Sequence, residues 1–255
     1  MIDIHCHILQ EIDDGSTSIE ESLELLKGGE KLGFKTFVLT AHYHRERGYF
    51  CEGYNEKFQR LRERVLEEGL NIELLRGSEI FLDENYREIL ETFKWESIDG
   101  SKNILVEVSP LEIPEVTLKK IEVIVKRGYV PILAHCERYI NFKLRDYRAI
   151  KKLGGYLQVN IGSMGKKKSL IKELIKYELI DFLGSDVHRI RGRNYELQRE
   201  LKIFRKLMGR DYFNRVTLKK EKRDEEKESS LIEWFINMWK GLFRRDRLRG
   251  NIESS

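Results

Sequence analysis

Ile2-Asp3-Ile4-His5-Cys6-His7 is the stretch on which the reading of this chain turns. Two histidines stand two apart at the end of a short apolar run. On a strand, residues i and i+2 point to the same face, so His5 and His7 aim two imidazoles at one point, as a metal ion requires. Alone, the pair also fits a half-buried strand carrying two incidental histidines. The other histidines weigh against that: His42, His44, His135 and His188 complete a set of six, confined to four short segments that each end a predicted strand.

Working outward, strand-like runs cover 2–6, 36–42, 72–80, 103–108, 130–135, 156–161 and 181–186. Amphipathic helical segments lie near 18–33, 54–69, 83–94, 115–128, 143–154, 168–179 and 194–209. In the second of these, Phe58, Leu61, Val65 and Leu66 keep the spacing of one buried helical face. Gly33, Gly69, Gly128 and Gly154 follow helices, where C-terminal stops belong. Seven strand–helix repeats predict an α/β fold with parallel strands and helices outside. His5, His7, His42, His44, Glu79, Glu107, His135, Asp186 and His188 then fall near the C-terminal ends of strands. In a parallel barrel those ends converge on one rim, where active sites form. The loop after the first strand adds Glu11, Asp13 and Asp14. Of these, Asp14 is the one expected to reach the site. Ser16 or Ser18 caps the next helix, with Glu21 as the partner in a capping box.

The chain has 255 residues, 35% charged and 40% hydrophobic, a size that one α/β barrel fills. No apolar run is long enough to span a bilayer, and no basic or apolar leader precedes the first strand, so a cytoplasmic protein is expected. Three widely spaced cysteines, Cys6, Cys51 and Cys136, suggest reduced thiols rather than a disulfide framework. None has an arginine six residues on, as a thiol-based tyrosine phosphatase would need; those positions hold Ile12, Lys57 and Phe142. No phosphate-binding glycine loop or dinucleotide fingerprint is present. Lys240, Arg244, Arg245, Arg247 and Arg249 against Asp246 account for the net charge of +4, and the remaining residues balance at 42 basic and 42 acidic. That is no nucleic-acid signature, but it makes the C-terminal end basic.

The ordered segments MIDIHCHILQEIDDGS, TAHYH, GSEI, ILVEVS, PILAHCERY, LQVNIGSMG and GSDVH resemble the PHP (polymerase and histidinol phosphatase) superfamily of metal-dependent phosphoesterases. Within it the chain is most similar to the bacterial tyrosine-protein phosphatases of capsular and exopolysaccharide operons. The likeness runs from residue 1 to about 193. It departs at Gln10-Glu11, where the family often has Pro-Gly, and at Cys136, where proline is common.

The resemblance implies a distorted seven-stranded (β/α) barrel over residues 1–215 that holds three divalent metal ions, Mn²⁺ first, with Fe²⁺ or Zn²⁺ as alternatives. It assigns His5, His7, Glu79 and Asp186 to one ion. A second takes Asp14, His42 and His188, and a third Glu79, Glu107 and His135. Arg138 and Arg193 match arginines that hold phosphate, and His44 is left as a pocket-lining residue. The implied activity is hydrolysis of phosphotyrosine in proteins, with a bacterial tyrosine kinase as partner and control of polysaccharide synthesis or export as setting. A small-molecule phosphatase, such as one for histidinol phosphate, and a metal-stabilised binding protein are the alternatives.

The resemblance stops before the tail. Residues 216–230 read as a charged linker. In 231–255, Leu231, Phe235, Met238, Trp239 and Leu242 form an apolar helical stripe beside the basic cluster. Such a helix either packs on a protein surface or lies on an anionic membrane.

Overall fold

The computed structural model describes residues 1–92 and 94–218. The predicted linker beyond Leu218 and the predicted C-terminal helix of 231–255 lie outside the described residues. Among the described residues eight strands and seven α-helices follow one another: β1 Ile2–Cys6, α1 Ile19–Lys31, β2 Thr36–His44, β3 Tyr49–Phe50, α2 Tyr54–Glu67, β4 Glu73–Phe81, α3 Tyr86–Thr92, β5 Asn103–Glu107, α4 Pro114–Lys126, β6 Val130–Leu133, α5 Leu144–Lys152, β7 Tyr156–Asn160, α6 Lys168–Lys176, β8 Phe182–Gly184 and α7 Gln198–Thr217.

Seven strands run parallel in the order β1-β2-β4-β5-β6-β7-β8. The eighth, β3, is a two-residue hairpin partner of β2 that the sequence reading did not find. The sheet returns on itself just past β8, where Cys6 bridges Val187, His7 N–H donates to the Val187 carbonyl at 2.8 Å and Asp186 N–H donates to the His5 carbonyl at 2.8 Å. Buried Asp3 fastens this seam, accepting from Ser185 N–H at 2.9 Å and from the Tyr195 hydroxyl at 2.7 Å.

The barrel floor is apolar, filled by Ile2, Ile4, Val38, Leu75, Leu105, Ile132, Ala134 and Phe182. Strand alternation carries each inner column upward from that floor: Val38 to His42 and His44, Leu75 to Glu79, Leu105 to Glu107, and Phe182 to Asp186. On β1 the alternation is broken. Asp3 pairs with Phe37 and Cys6 with Leu39, so Ile4 and His5 together face one residue of β2. This bulge lets Ile4 fill the floor while His5 and His7 still face the mouth.

The helices form where expected, with two differences. In α2 the buried face is Tyr54, Phe58, Leu61 and Val65, and Leu66 is 69% exposed. The stripe runs back to Tyr54, whose hydroxyl donates to the Leu39 carbonyl at 2.7 Å, so Leu66 rotates off the seam. The last helix does not end at 209: it breaks at Gly209, at positive φ, and resumes to Thr217. Ser18 caps α1 by accepting from Glu21 N–H at 3.1 Å, while Glu21 reaches back to Thr17 N–H rather than to Ser18. Among the described residues no helix is long and apolar enough to cross a membrane.

Candidate metal centre

Six columns of the barrel mouth bring the predicted residues together. His5 Nε2 and His7 Nε2 are 3.1 Å apart; Glu79 Oε2 lies 3.2 Å from both and Asp186 Oδ1 3.6 Å from both. The outer nitrogen of each ring is committed. His7 Nδ1 donates to Asp13 Oδ2 at 2.8 Å, and His5 Nδ1 donates to Gln158 Oε1 at 3.1 Å. The Gln158 amide cannot be reversed, because its Oε1 also accepts from His135 N–H at 2.7 Å and its Nε2 donates to Asn160 Oδ1 at 2.8 Å.

The two Nε2 lone pairs therefore face each other and two carboxylate oxygens. A single proton on one ring would leave the other acceptors repelling, whereas a divalent cation engages all four. Metal–ligand bonds of about 2.0–2.2 Å separate neighbouring donor atoms by about 2.8–3.6 Å, which covers the 3.1–3.6 Å seen here. Burial disfavours charge on His7, yet Asp13 and Glu79 raise its pKa well above the usual imidazole value. The surroundings favour positive charge at that point.

A second group adjoins it. Asp14 Oδ1 lies 3.5 Å from both His42 Nε2 and His188 Nε2, and His7, Asp14, His42 and His188 offer ligand atoms within 4.8 Å of one another. His188 Nδ1 donates to the Asp186 carbonyl at 3.0 Å, which leaves its Nε2 bare. His188 Nε2 and His42 Nδ1 are buried with no hydrogen bond, as ligand atoms are before an ion is counted. Burial, helped by His7, pushes His42 down to about 4, so it stays neutral and able to coordinate.

The third group differs in detail from the one the resemblance implied. His42, Glu79 and Glu107 form the cluster within 4.8 Å. His135 Nε2 stands beside it, 2.9 Å from Glu79 Oε1 and 3.4 Å from Glu107 Oε1. Burial and the neighbouring Glu79 push Glu107 up to about 7. Carboxylates this crowded are relieved by a proton or by a cation among them. The donor set thus fits divalent ions of borderline character, with imidazole and carboxylate mixed.

His135 and Asp186 both sit in the left-handed region, at φ 30° and 55°. Held there, His135 turns into the mouth although Ala134 before it already faces inward. Such conformations persist only when the surroundings over-determine them, and they cluster at functional sites.

Arg138 and Arg193 converge on the other side of Asp186. Arg193 donates to Asp186 Oδ2 at 2.8 Å and Arg138 donates to the same oxygen, which also accepts from Asn160 Nδ2 at 2.8 Å. Asp186 thereby joins the imidazole cluster to the two cations. Burial opposes its charge, but His5, Arg138 and Arg193 hold it far below the usual carboxylate range. His44 is buried and stacks on Phe81 with ring centroids 4.0 Å apart, beside the ligands but not among them.

The cysteines take no part. Cys6 and Cys136 are fully buried and burial raises both thiols well above their usual pKa; Cys51 is pushed up to about 11. An inert buried thiol is neither a nucleophile nor, at Cys6 and Cys136, an exposed target for oxidation. Sequence reasoning missed Asp13, Gln158 and Asn160, which orient the ligands. The signal for the amides was available: two polar residues, two apart, on the inner face of an otherwise apolar strand.

The family model for capsular polysaccharide synthesis, CpsB/CapC, matches residues 1–223. The tyrosine-protein phosphatase YwqE of Bacillus subtilis is 30% identical over 221 residues, covering 82% of this chain and 85% of that protein. The putative tyrosine-protein phosphatase CapC of Staphylococcus aureus is 31% identical over 208 residues, covering 78% and 81%. Among solved structures, the work on YwqE from Bacillus subtilis and CpsB from Streptococcus pneumoniae, described as unique metal-dependent tyrosine phosphatases, superposes with a TM-score of 0.75 at 27% identity, over 84% of this chain and 90% of that one.

Proposed function

Because this chain belongs to the CpsB/CapC family of capsular polysaccharide synthesis, and because its mouth sets cation ligands beside anion-binding arginines, we propose that it is a metal-dependent phosphoric monoester hydrolase acting on phosphotyrosine in proteins. The observation that carries this reading is the two-sided use of Asp186, with Oδ1 toward the His5–His7 pair and Oδ2 toward Arg138 and Arg193. A phosphate monoester needs such a site: a centre that activates water, next to fixed cations for the phosphoryl oxygens.

The reading carries three divalent ions, with Mn²⁺ as first choice and Fe²⁺ or Zn²⁺ as alternatives. His5, His7, Glu79 and Asp186 would hold one, Asp14, His42 and His188 a second, and Glu79, Glu107 and His135 a third. Bound there, such ions supply a hydroxide nucleophile at neutral pH and neutralise developing charge. The chain's own residues do the rest. Asp13 and Gln158 fix the tautomers of His7 and His5. Arg138 and Arg193, forked donors at the rim, orient the phosphoryl group and stabilise its charge in the transition state. The leaving phenolate has a pKa of about 10, so a dedicated general acid is less needed than for an alkoxide.

In this reading the enzyme works in the cytoplasm, its substrate is a phosphotyrosine protein, a bacterial tyrosine kinase first among them, and its output regulates polysaccharide synthesis or export. The test compares a phosphotyrosine peptide with histidinol phosphate, before and after chelation, with the metal content of the purified protein measured in parallel. Phosphotyrosine turnover that chelation removes and metal restores is expected. A strong preference for histidinol phosphate, or turnover indifferent to chelation, would overturn the proposal.

A further inference from the structure

A cleft of about 430 Å³ leads outward from Asp186 between the loops that follow β6, β7 and β8. Arg138 and Arg193 line its inner part beside Asp186, Lys166 and Lys167 its outer part, and Glu196 is the other acid on its wall. The arginines are engaged with Asp186. Lys166 and Lys167 are exposed and make no ion pair among the described residues. Other exposed cations among the described residues are likewise unpaired; what distinguishes Lys166 and Lys167 is their place in one cleft with Arg138 and Arg193, at the edge of the candidate site.

The other side of the mouth has the opposite sign. Past β2, β4 and β5, Glu46, Asp83 and Glu84 line a cavity of about 530 Å³; of the cations nearby, Lys120 is already bound to Glu112 and to the Leu82 carbonyl, and Arg45 pairs with Glu88. In the sheet order β4 and β5 stand apart from β7 and β8, so the ligand cluster separates a basic cleft from an acidic rim. A polypeptide laid across the mouth meets both fields. An extended chain advances about 3.3 Å per residue, so the first few side chains flanking a phosphotyrosine fall within reach of each.

We propose that the cleft with Lys166 and Lys167 selects phosphotyrosines carrying anionic side chains on one flank, and that the Glu46–Asp83–Glu84 rim repels the same charge on the other. This deepens the phosphatase reading and rests on it. Carboxylates and a second phosphotyrosine share the chemistry required.

Peptides with two glutamates before, two after, or neither side of one phosphotyrosine would be compared at low salt, with p-nitrophenyl phosphate as a substrate that has no flanks. A further peptide replaces the glutamates of the favoured side by a second phosphotyrosine. We expect one glutamate placement to raise kcat/KM roughly three- to tenfold over the neutral peptide, the scale of one or two exposed charge pairs, and to lose the gain at high salt. The variant K166E/K167E should abolish that gain and leave p-nitrophenyl phosphate hydrolysis unchanged. A second phosphotyrosine that outperforms the glutamates identifies phosphate as the preferred anion; equal rates identify carboxylate charge as sufficient. Equal kcat/KM for all single-phosphotyrosine peptides, or a gain that survives in K166E/K167E, would overturn the flank proposal while leaving phosphatase activity standing. Wild-type protein inert to every phosphotyrosine peptide and to p-nitrophenyl phosphate would instead sink the phosphatase reading, and this proposal with it.

Discussion

Asp13 and Asp14 are neighbours in sequence with different work. Asp14 points an oxygen at His42 and His188, whereas Asp13 Oδ2 accepts from His7 Nδ1 and from His42 N–H, each at 2.8 Å, and its Oδ1 accepts from Gly15 N–H at 2.9 Å. Asp13 thus sets the ring of one candidate ligand and the backbone of another. Partners of this kind typically govern metal affinity by about 10–100-fold. Asp13→Ala should lose metal to that extent on dialysis against a buffered series of metal concentrations, and recover turnover when metal is added in excess; wild-type affinity would show that His7 needs no such partner. Arg138→Ala and Arg193→Ala should each lower kcat/KM roughly 10- to 100-fold, the scale of about 1.5–3 kcal/mol for a charge-assisted hydrogen bond. Metal content should hold, because Asp186 keeps Asn160 as a donor. Metal loss in either variant would make its arginine a support for Asp186 rather than a contact for phosphate. At this scale the ionisable residues were legible because histidine and carboxylate at strand ends advertise their chemistry. Gln158 and Asn160 were legible only as two polar residues on the inner face of an apolar strand; what they do there, like the support that Asp13 gives His7, depends on the atoms they meet.

At the scale of the element, the strands were legible by alternation and their departures from it were not. The β1 bulge and the left-handed His135 each turn a side chain inward that strict alternation would send out, and no pattern of residue types marks them. Close approach is equally silent in the sequence. A Cβ on Gly184 would meet Gln158 Nε2 and His5 Cβ at 2.7 Å each, so β8 comes near enough to β1 and β7 to close the barrel only without a side chain there. Gly184→Ala should cost about 1–3 kcal/mol, the usual range for overpacking a filled core. Because the clash falls on His5 and its partner, it should weaken metal retention too. Gly165→Ala is the control, having nothing within 4 Å of its would-be Cβ. Denaturant midpoints for the pair should separate them, and equal midpoints would mean that β8 shifts freely.

For the whole molecule the question is where the folded unit ends. The reading of the sequence placed the barrel's limit at 215 and the last amphipathic segment near 194–209, which ends where the chain breaks at Gly209. What it lacked was the far side of the break: residues 210–217 form a further helical turn set whose Tyr212, Phe213 and Val216 are buried, and no periodicity of so short a piece stands out. Tyr212 also clamps the chain before β8, accepting from Ile180 N–H and donating to its carbonyl, both at 3.0 Å. Full burial of side chains such as Phe213 and Val216 is worth about 1.5–3 kcal/mol each. With the Tyr212 bonds at about 1 kcal/mol each, the segment supplies several kcal/mol against a typical domain stability of about 5–15 kcal/mol. Two truncations follow from this. A chain ending at 223 contains every candidate ligand, both arginines and all of α7, so it should unfold at the wild-type temperature and hydrolyse a small aryl phosphate at the wild-type rate. A chain ending at 209 has the same ligands yet should be strongly destabilised, because the Ile180 strand entry and the α7 seat are left open. Thermal unfolding and aryl phosphate turnover on both would decide it: a 223-residue chain that loses turnover would place part of the site beyond that point, and a 209-residue chain as stable as wild type would mean that the second half of α7 only decorates the barrel.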